Sequence, residues 1–196
     1  NHFPTSVREL GEAVAYIREH AAEWKVDPAK IIVCGSSAAG HLACSLGVFW
    51  DNELVYDAIG RTPAQIRPDG LILCYPVITG GEYAHVNSFK RLLGDDVTQE
   101  QRDAVSLENF VTEQTPRAFI WHTYTDENVP VENSLLLAAA MKRKNVNFEL
   151  HIYPSGGHGL SLADEETAGN GFQVVEQCQS WIPLVKMWLK HFDASC

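Results

Sequence analysis

Ile31-Ile32-Val33-Cys34-Gly35-Ser36-Ser37-Ala38-Ala39-Gly40 reads as a short apolar strand, a turn of small residues and the start of a helix that follows at once. A strand-to-helix turn that lifts a serine hydroxyl above a sheet is crowded and strained. It therefore needs small residues two before and two after that serine. Centring the turn on Ser37 gives Gly35 and Ala39 as flanks, whereas centring it on Ser36 puts the larger Cys34 in the tightest place. Ser37 is the better candidate nucleophile. Ala39 stands where the G-x-S-x-G pattern has its second glycine, with Gly40 one residue further on. A serine-rich turn that merely caps a helix would look similar, so the reading depends on a base and an acid downstream.

Outward from this turn, residues 70–77, 118–122 and 148–153 form three more apolar runs, each too continuous for a sheet with one wet face. Helical spacing marks residues 7–24, with Thr5 or Ser6 as cap, then 38–49, 131–143 and a long closing helix over 172–192. Alternating strands and helices predict an α/β fold with a doubly wound, mostly parallel sheet and right-handed crossovers. Residues 78–114 break the rhythm with Gly80-Gly81, Tyr83, Phe89 and Phe110, and read as a lid-like excursion from a single domain. No internal repeat or linker is visible.

The 196 residues are 45% hydrophobic and carry a formal charge of −10, which argues against a nucleic-acid partner. No apolar stretch approaches the roughly 20 residues that span a bilayer, so no membrane partner is expected. Cys34, Cys44, Cys74, Cys178 and Cys196 are odd in number and lack metal-type spacing. They read as buried free thiols in a reducing compartment, which predicts a cytoplasmic protein without a metal site.

A serine becomes a useful nucleophile beside a base that an acid holds in the right tautomer. Trp121-His122-Thr123-Tyr124-Thr125-Asp126 puts Asp126 in the loop just past the third strand, and Pro154-Ser155-Gly156-Gly157-His158-Gly159-Leu160 puts His158 among glycines after the fourth. Asp95, Asp96 and Asp164 compete as acids, but none directly follows a buried strand. His122 and His151 fall within strand patterns and His41 within the helix after the turn, so all three read as structural. The order serine, aspartate, histidine at successive strand ends is that of the α/β-hydrolase fold.

Gly35-Ser36-Ser37-Ala38-Ala39-Gly40-His41-Leu42-Ala43 resembles the G-x-S-A-G-G-H-L-A elbow of α/β-hydrolase esterases that include the acetyl-xylan and related carbohydrate esterases. Residues 122–134 and 154–160 resemble the acid and histidine segments of that group. The resemblance implies a serine esterase without a cofactor that takes small esters, acetylated oligosaccharides above all, with Ser37, Asp126 and His158 in the catalytic positions. It also implies that the chain lacks the fold's N-terminal strands and the glycine-rich loop that donates to the oxyanion hole. Of the hole, only the Ala38 N–H is then assignable, and the first strand's open edge predicts oligomers. A lipase-like carboxylesterase and a serine peptidase of the same fold are the rival enzymes, and an inactive binding module is the rival of another class. Trp50, Tyr75, Tyr83 and Tyr124 offer flat faces to a sugar ring, but read as ordinary packing.

Overall fold

The protein is described by a computed structural model over residues 2–192, with Phe172 described in its backbone only. Four strands, β1 (Ile32–Ser36), β2 (Gly70–Cys74), β3 (Arg117–Thr123) and β4 (Phe148–Tyr153), lie parallel in the order β1-β2-β3-β4. Ile32 pairs with Gly70, Gly70 with Arg117 and Ala118 with Phe148, so the C-terminal ends of the strands gather at one edge. Five helices of eight or more residues accompany them among the described residues: α1 (Thr5–Glu19), α2 (Ala38–Phe49), α3 (Val86–Leu93), α4 (Glu132–Arg143) and α5 (Trp181–Lys190).

The period-two pattern of the strands sorts the core into two layers. Leu71, Leu73, Ala118 and Ile120 face α1, α2 and α4, where Val14, Leu46, Leu137 and Met141 complete one buried cluster. Ile72, Cys74, Phe119 and Trp121 point the other way and meet Trp181, Val185 and Trp188 of α5. Helices on both faces make the sheet doubly wound, as the sequence pattern predicts. No helix among the described residues is long and apolar enough to cross a membrane, and no described cluster of His, Cys, Asp and Glu has the makings of a metal site.

Several boundaries differ from those read in the sequence. The closing stretch is not one helix but a 3-10 turn (Gly171–Gln173), a short helix (Glu176–Gln179) and then α5. Pro183 explains the late start, because a residue without an N–H fits only the first turn of a helix, where that donor has no partner anyway. The opening helix likewise stops at Glu19 and restarts over Ala21–Trp24, and Pro4 rather than Thr5 or Ser6 occupies its N-cap. β2 and most of β3 are buried on both faces, but β4 is only half-buried because it is an edge strand. Cys44, Cys74 and Cys178 are buried free thiols, whereas Cys34 is exposed on β1, the other edge, and Cys196 lies outside the described residues.

Candidate active site

At the end of β1, Ser37 takes φ 54° and ψ −122°, a conformation that costs a non-glycine residue about 1–3 kcal/mol and persists only where its surroundings impose it. They do here. The Ser37 N–H donates to the Cys74 carbonyl at 3.0 Å, and its own carbonyl accepts from the Val77 N–H at 3.0 Å and from the His41 N–H at 3.3 Å. A Cβ on Gly35 would collide with the Ala39 carbonyl, and one on Gly40 would come within 2.7 Å of the Pro76 Cβ. Ala39 itself is exposed, which is why a methyl is tolerated at the position where the common pattern has glycine. The crowding has moved to Gly40. Ser36 remains in β1 beside Cys74, its hydroxyl on the Tyr75 phenol.

The structure brings together the three residues that the sequence singles out from distant segments. Ser37 Oγ lies 2.7 Å from His158 Nε2, and His158 Nδ1 lies 2.6 Å from Asp126 Oδ2. A carboxylate only accepts, so Nδ1 carries the hydrogen and Nε2 is left to accept from the serine hydroxyl. Asp126 Oδ1 accepts the backbone N–H groups of Asn128 and Val129, both at 3.0 Å. Burial alone would push this carboxyl up, but the hydrogen bonds from His122, His158 and Val129 outweigh burial and hold it well below the usual carboxylate range.

His122 is a site residue that its place in an apolar strand concealed. It is fully buried, with Nδ1 2.8 Å from Ser134 Oγ and Nε2 2.9 Å from the Val129 carbonyl and 3.3 Å from Asp126 Oδ2. The carbonyl fixes the hydrogen on Nε2, so one N–H is shared between the acid and the loop that carries it. The histidine loop is pinned in a similar way. Thr123 and Thr125 hydroxyls donate to the Gly156 carbonyl at 2.9 and 3.0 Å, and Gly156 adopts φ +146° with no room for a Cβ against Thr123. The two threonines around Tyr124 were the available signal. Tyr75 stands edge-on to the His158 ring at 5.2 Å, and its hydroxyl accepts the Ser161 N–H. Trp121 and Trp181 stack behind it, so Tyr75 packs as expected.

The competing residues lie elsewhere. Asp95 and Asp96 are exposed after α3, Asp164 closes a surface turn onto Thr167, and His151 pairs with Glu149 at 2.7 Å. His41 is buried, with Nε2 3.0 Å from the Val105 carbonyl, and burial drives its imidazole down to about 4, so it is neutral. The Ala38 N–H opens α2, where the first amides of a helix lack internal partners and favour negative charge.

Residues 78–114 fold back over these groups through α3, the short helix Gln99–Asp103 and a 3-10 turn, with Phe89 and Val105 packed on Val77 and Val129. The excursion thereby forms one wall of two half-open cavities beside Ser37 and Ala38. One, of about 320 Å³, is a polar cleft bounded by Ser37, His158, Asn128 and the α3 residues Asn87, Ser88 and Arg91, with His85 just before them. The other, of about 150 Å³, is an apolar hollow beside Ala38 formed by Val77, Phe89 and Leu92. His85, Asn87 and Arg91 lie outside the segments that resemble the esterase group, and their place in the fold brings them to the triad, whereas Asn128 follows Asp126 by two residues.

The sequence model of the BD-FAE family matches residues 1–141. The chain belongs to that family. The segment that BD-FAE covers includes Ser37 and Asp126, while His158 lies beyond it. The chain is also 41% identical over 164 residues to an endo-1,4-beta-xylanase B of Butyrivibrio fibrisolvens, covering 82% of this chain and 25% of that protein. It is 30% identical over 161 residues to an acetylxylan esterase of Xylanibacter ruminicola, covering 80% of this chain and 31% of that protein. It thus spans a third or less of the length of these relatives. Among solved structures, the acetyl ester-xyloside bifunctional hydrolase of Caldicellulosiruptor lactoaceticus superposes with a TM-score of 0.76 at 38% identity, over 95% of this chain and 68% of that one. The BD-FAE chain thus has the α/β-hydrolase fold that its parallel sheet and strand-end loops display.

Proposed function

We propose that this BD-FAE chain is a serine carboxylic ester hydrolase that removes short acyl groups, acetyl above all, from sugars. The observation that carries the reading is the relay from Ser37 Oγ through His158 to Asp126, with both contacts under 2.8 Å, at 2.7 and 2.6 Å. Ser37 Oγ attacks the ester carbonyl carbon while His158 Nε2 takes its proton. The carbonyl oxygen becomes an oxyanion that the Ala38 N–H stabilises at the start of α2. Collapse breaks the bond to the sugar oxygen, which leaves with the proton from His158, and Ser37 holds the acyl group. Water then attacks the acyl-enzyme, gives its proton to His158, and releases the acid as Ser37 recovers its hydrogen. Asp126, held ionised, faces the imidazolium at each stage.

The two cavities suit the two halves of such a substrate. Asn87, Asn128 and His85 present hydroxyl-binding groups in the cleft, and the apolar hollow of about 150 Å³ fits a short acyl chain. The relatives named as an acetylxylan esterase and an acetyl ester-xyloside hydrolase support the same substrate class. A wider hollow of about 310 Å³ shares Ala38, His41 and Leu92 with the small one and is the observation that favours longer chains. Hydrolysis of 4-nitrophenyl acetate, butyrate and octanoate decides between them, together with acetate release from acetylated xylo-oligosaccharides. We expect kcat/KM to fall from acetate to octanoate; equal or better rates on octanoate would replace the sugar esterase with a lipase-like enzyme.

A further inference from the structure

Arg91 stands between the two cavities, bordering both the polar cleft with Ser37 and His158 and the apolar hollow beside Ala38. Its guanidinium has no hydrogen bond or ion pair among the described residues, and no Asp or Glu borders either cavity. Most other arginines are engaged, and Arg143, exposed at the end of α4 and likewise without a hydrogen bond or ion pair among the described residues, borders neither cavity. Arg18 pairs with Asp69, Arg61 with Glu12 and Glu19, and Arg8, Arg67 and Arg117 each donate to a backbone carbonyl. Arg91 is exposed on α3 and, among the described residues, is the one Lys or Arg that borders either cavity. Its field reaches the site: the imidazole of His85, lowered first by burial, is lowered further by the charges of His158 and Arg91.

A guanidinium is a planar fork that matches a carboxylate with two parallel hydrogen bonds. We propose that Arg91 selects ester substrates that carry a carboxylate, namely acetylated oligosaccharides with a uronic acid next to the acetylated sugar. The inference rests on the sugar-esterase reading and deepens it. The cleft of about 320 Å³ takes the acetylated sugar, whose hydroxyls meet Asn87 and Asn128, and Arg91 on the wall of that cleft faces a carboxylate on the adjoining unit. Arg91 then acts on binding rather than on the chemical step, and its effect belongs in KM.

Two measurements test this and keep it apart from the esterase reading. In the first, calorimetric titration of Ser37→Ala protein with a neutral and a uronic-acid xylo-oligosaccharide of equal length needs no turnover. We expect the acidic ligand to bind about tenfold more tightly, as one well-placed ion pair allows. That preference should shrink with added salt, disappear in Ser37→Ala/Arg91→Gln and partly survive in Ser37→Ala/Arg91→Lys. In the second, the acetylated forms of both ligands are hydrolysed by the wild type, where the preference should appear in KM and not in kcat. Equal binding of the two ligands, no binding of either, or a preference that persists with glutamine at position 91 would overturn the role of Arg91. Absence of acetate release alongside selective binding would instead overturn the esterase reading and leave Arg91 a carboxylate site.

Discussion

At the elbow, one flank of Ser37 accepts alanine and the other does not, because Ala39 faces solvent while Gly35 faces the Ala39 carbonyl. Ala39→Gly should therefore leave kcat/KM within about twofold of wild type, as exposed substitutions usually do. Gly35→Ala should lower stability by about 1–3 kcal/mol or more and take activity with it, since the overlap involves backbone and cannot be relieved by a side chain. Urea unfolding of the two variants separates these outcomes, and a Gly35→Ala protein as stable as wild type would contradict the geometry. His122 makes a second prediction. Replacing it with phenylalanine leaves the Val129 carbonyl and Ser134 hydroxyl short of a buried partner, at a cost of about 1–3 kcal/mol, and removes one donor from Asp126. kcat should fall while Ser37 and His158 stay in place, and unchanged kcat with unchanged stability would confine His122 to packing. Ser37, Asp126 and His158 were legible in the sequence because each stands at a strand end in a distinctive local context. His122 was not, because an imidazole inside an apolar run says nothing of a carboxylate four residues on.

Helix α2 carries Ser37 at its N-terminus and is tied to the excursion by the bond from His41 to the Val105 carbonyl. Burial lowers the folded-state value of His41 to about 4, against about 6.5 for an ordinary histidine in the unfolded chain. Between these values the unfolded chain takes up a proton that the native state refuses. Stability therefore rises with pH from about 4 to 6.5 and is level above that range, the change being on the order of 3 kcal/mol. The depressed carboxyl of Asp126 adds a further loss, beginning as pH falls below the ordinary carboxylate value and growing toward its folded one. Chemical unfolding across pH 4–7 should show this slope in the wild type and a flatter one in His41→Gln. A wild-type curve flat over that range would mean that His41 titrates normally. Strands and helices were read from their periods, which match α2 and β3 closely, whereas β2, read over residues 70–77, ends at Cys74, where Tyr75 takes φ 38° and Pro76 has no N–H for the ladder. They misled at the margins: Pro183 delays α5, and the apolar run of β4 is an edge strand, because period does not reveal how many neighbours a strand has.

Across the whole molecule, the C-terminal edge of one parallel sheet gathers the loops of β1, β3 and β4, and with them Ser37, Asp126 and His158. That convergence followed from strand order, whereas the wall opposite it, with His85, Asn87 and Arg91, depended on how residues 78–114 fold back; Val86, Phe89 and Leu93 have helical spacing and Thr98 to Gln101 form a capping box, but neither says where the segment docks. β1 has one paired edge among the described residues, with exposed Cys34 on it, and an unpaired edge is a template for association. Produced as these 196 residues, the chain should show concentration-dependent self-association in sedimentation velocity, and a single monomeric species at all concentrations would contradict this. The Cys34 thiol, lowered by its hydrogen bond with Cys74, should react with iodoacetamide ahead of the buried Cys44, Cys74 and Cys178. The central claim, that Ser37 is a nucleophile activated by His158 and Asp126, is met most directly by reaction with a fluorophosphonate, followed by intact mass and peptide mapping. We predict one adduct, on Ser37, absent from Ser37→Ala, retained in Ser36→Ala and formed far more slowly in His158→Gln. An adduct on Ser36, or undiminished labelling of Ser37→Ala, would contradict it.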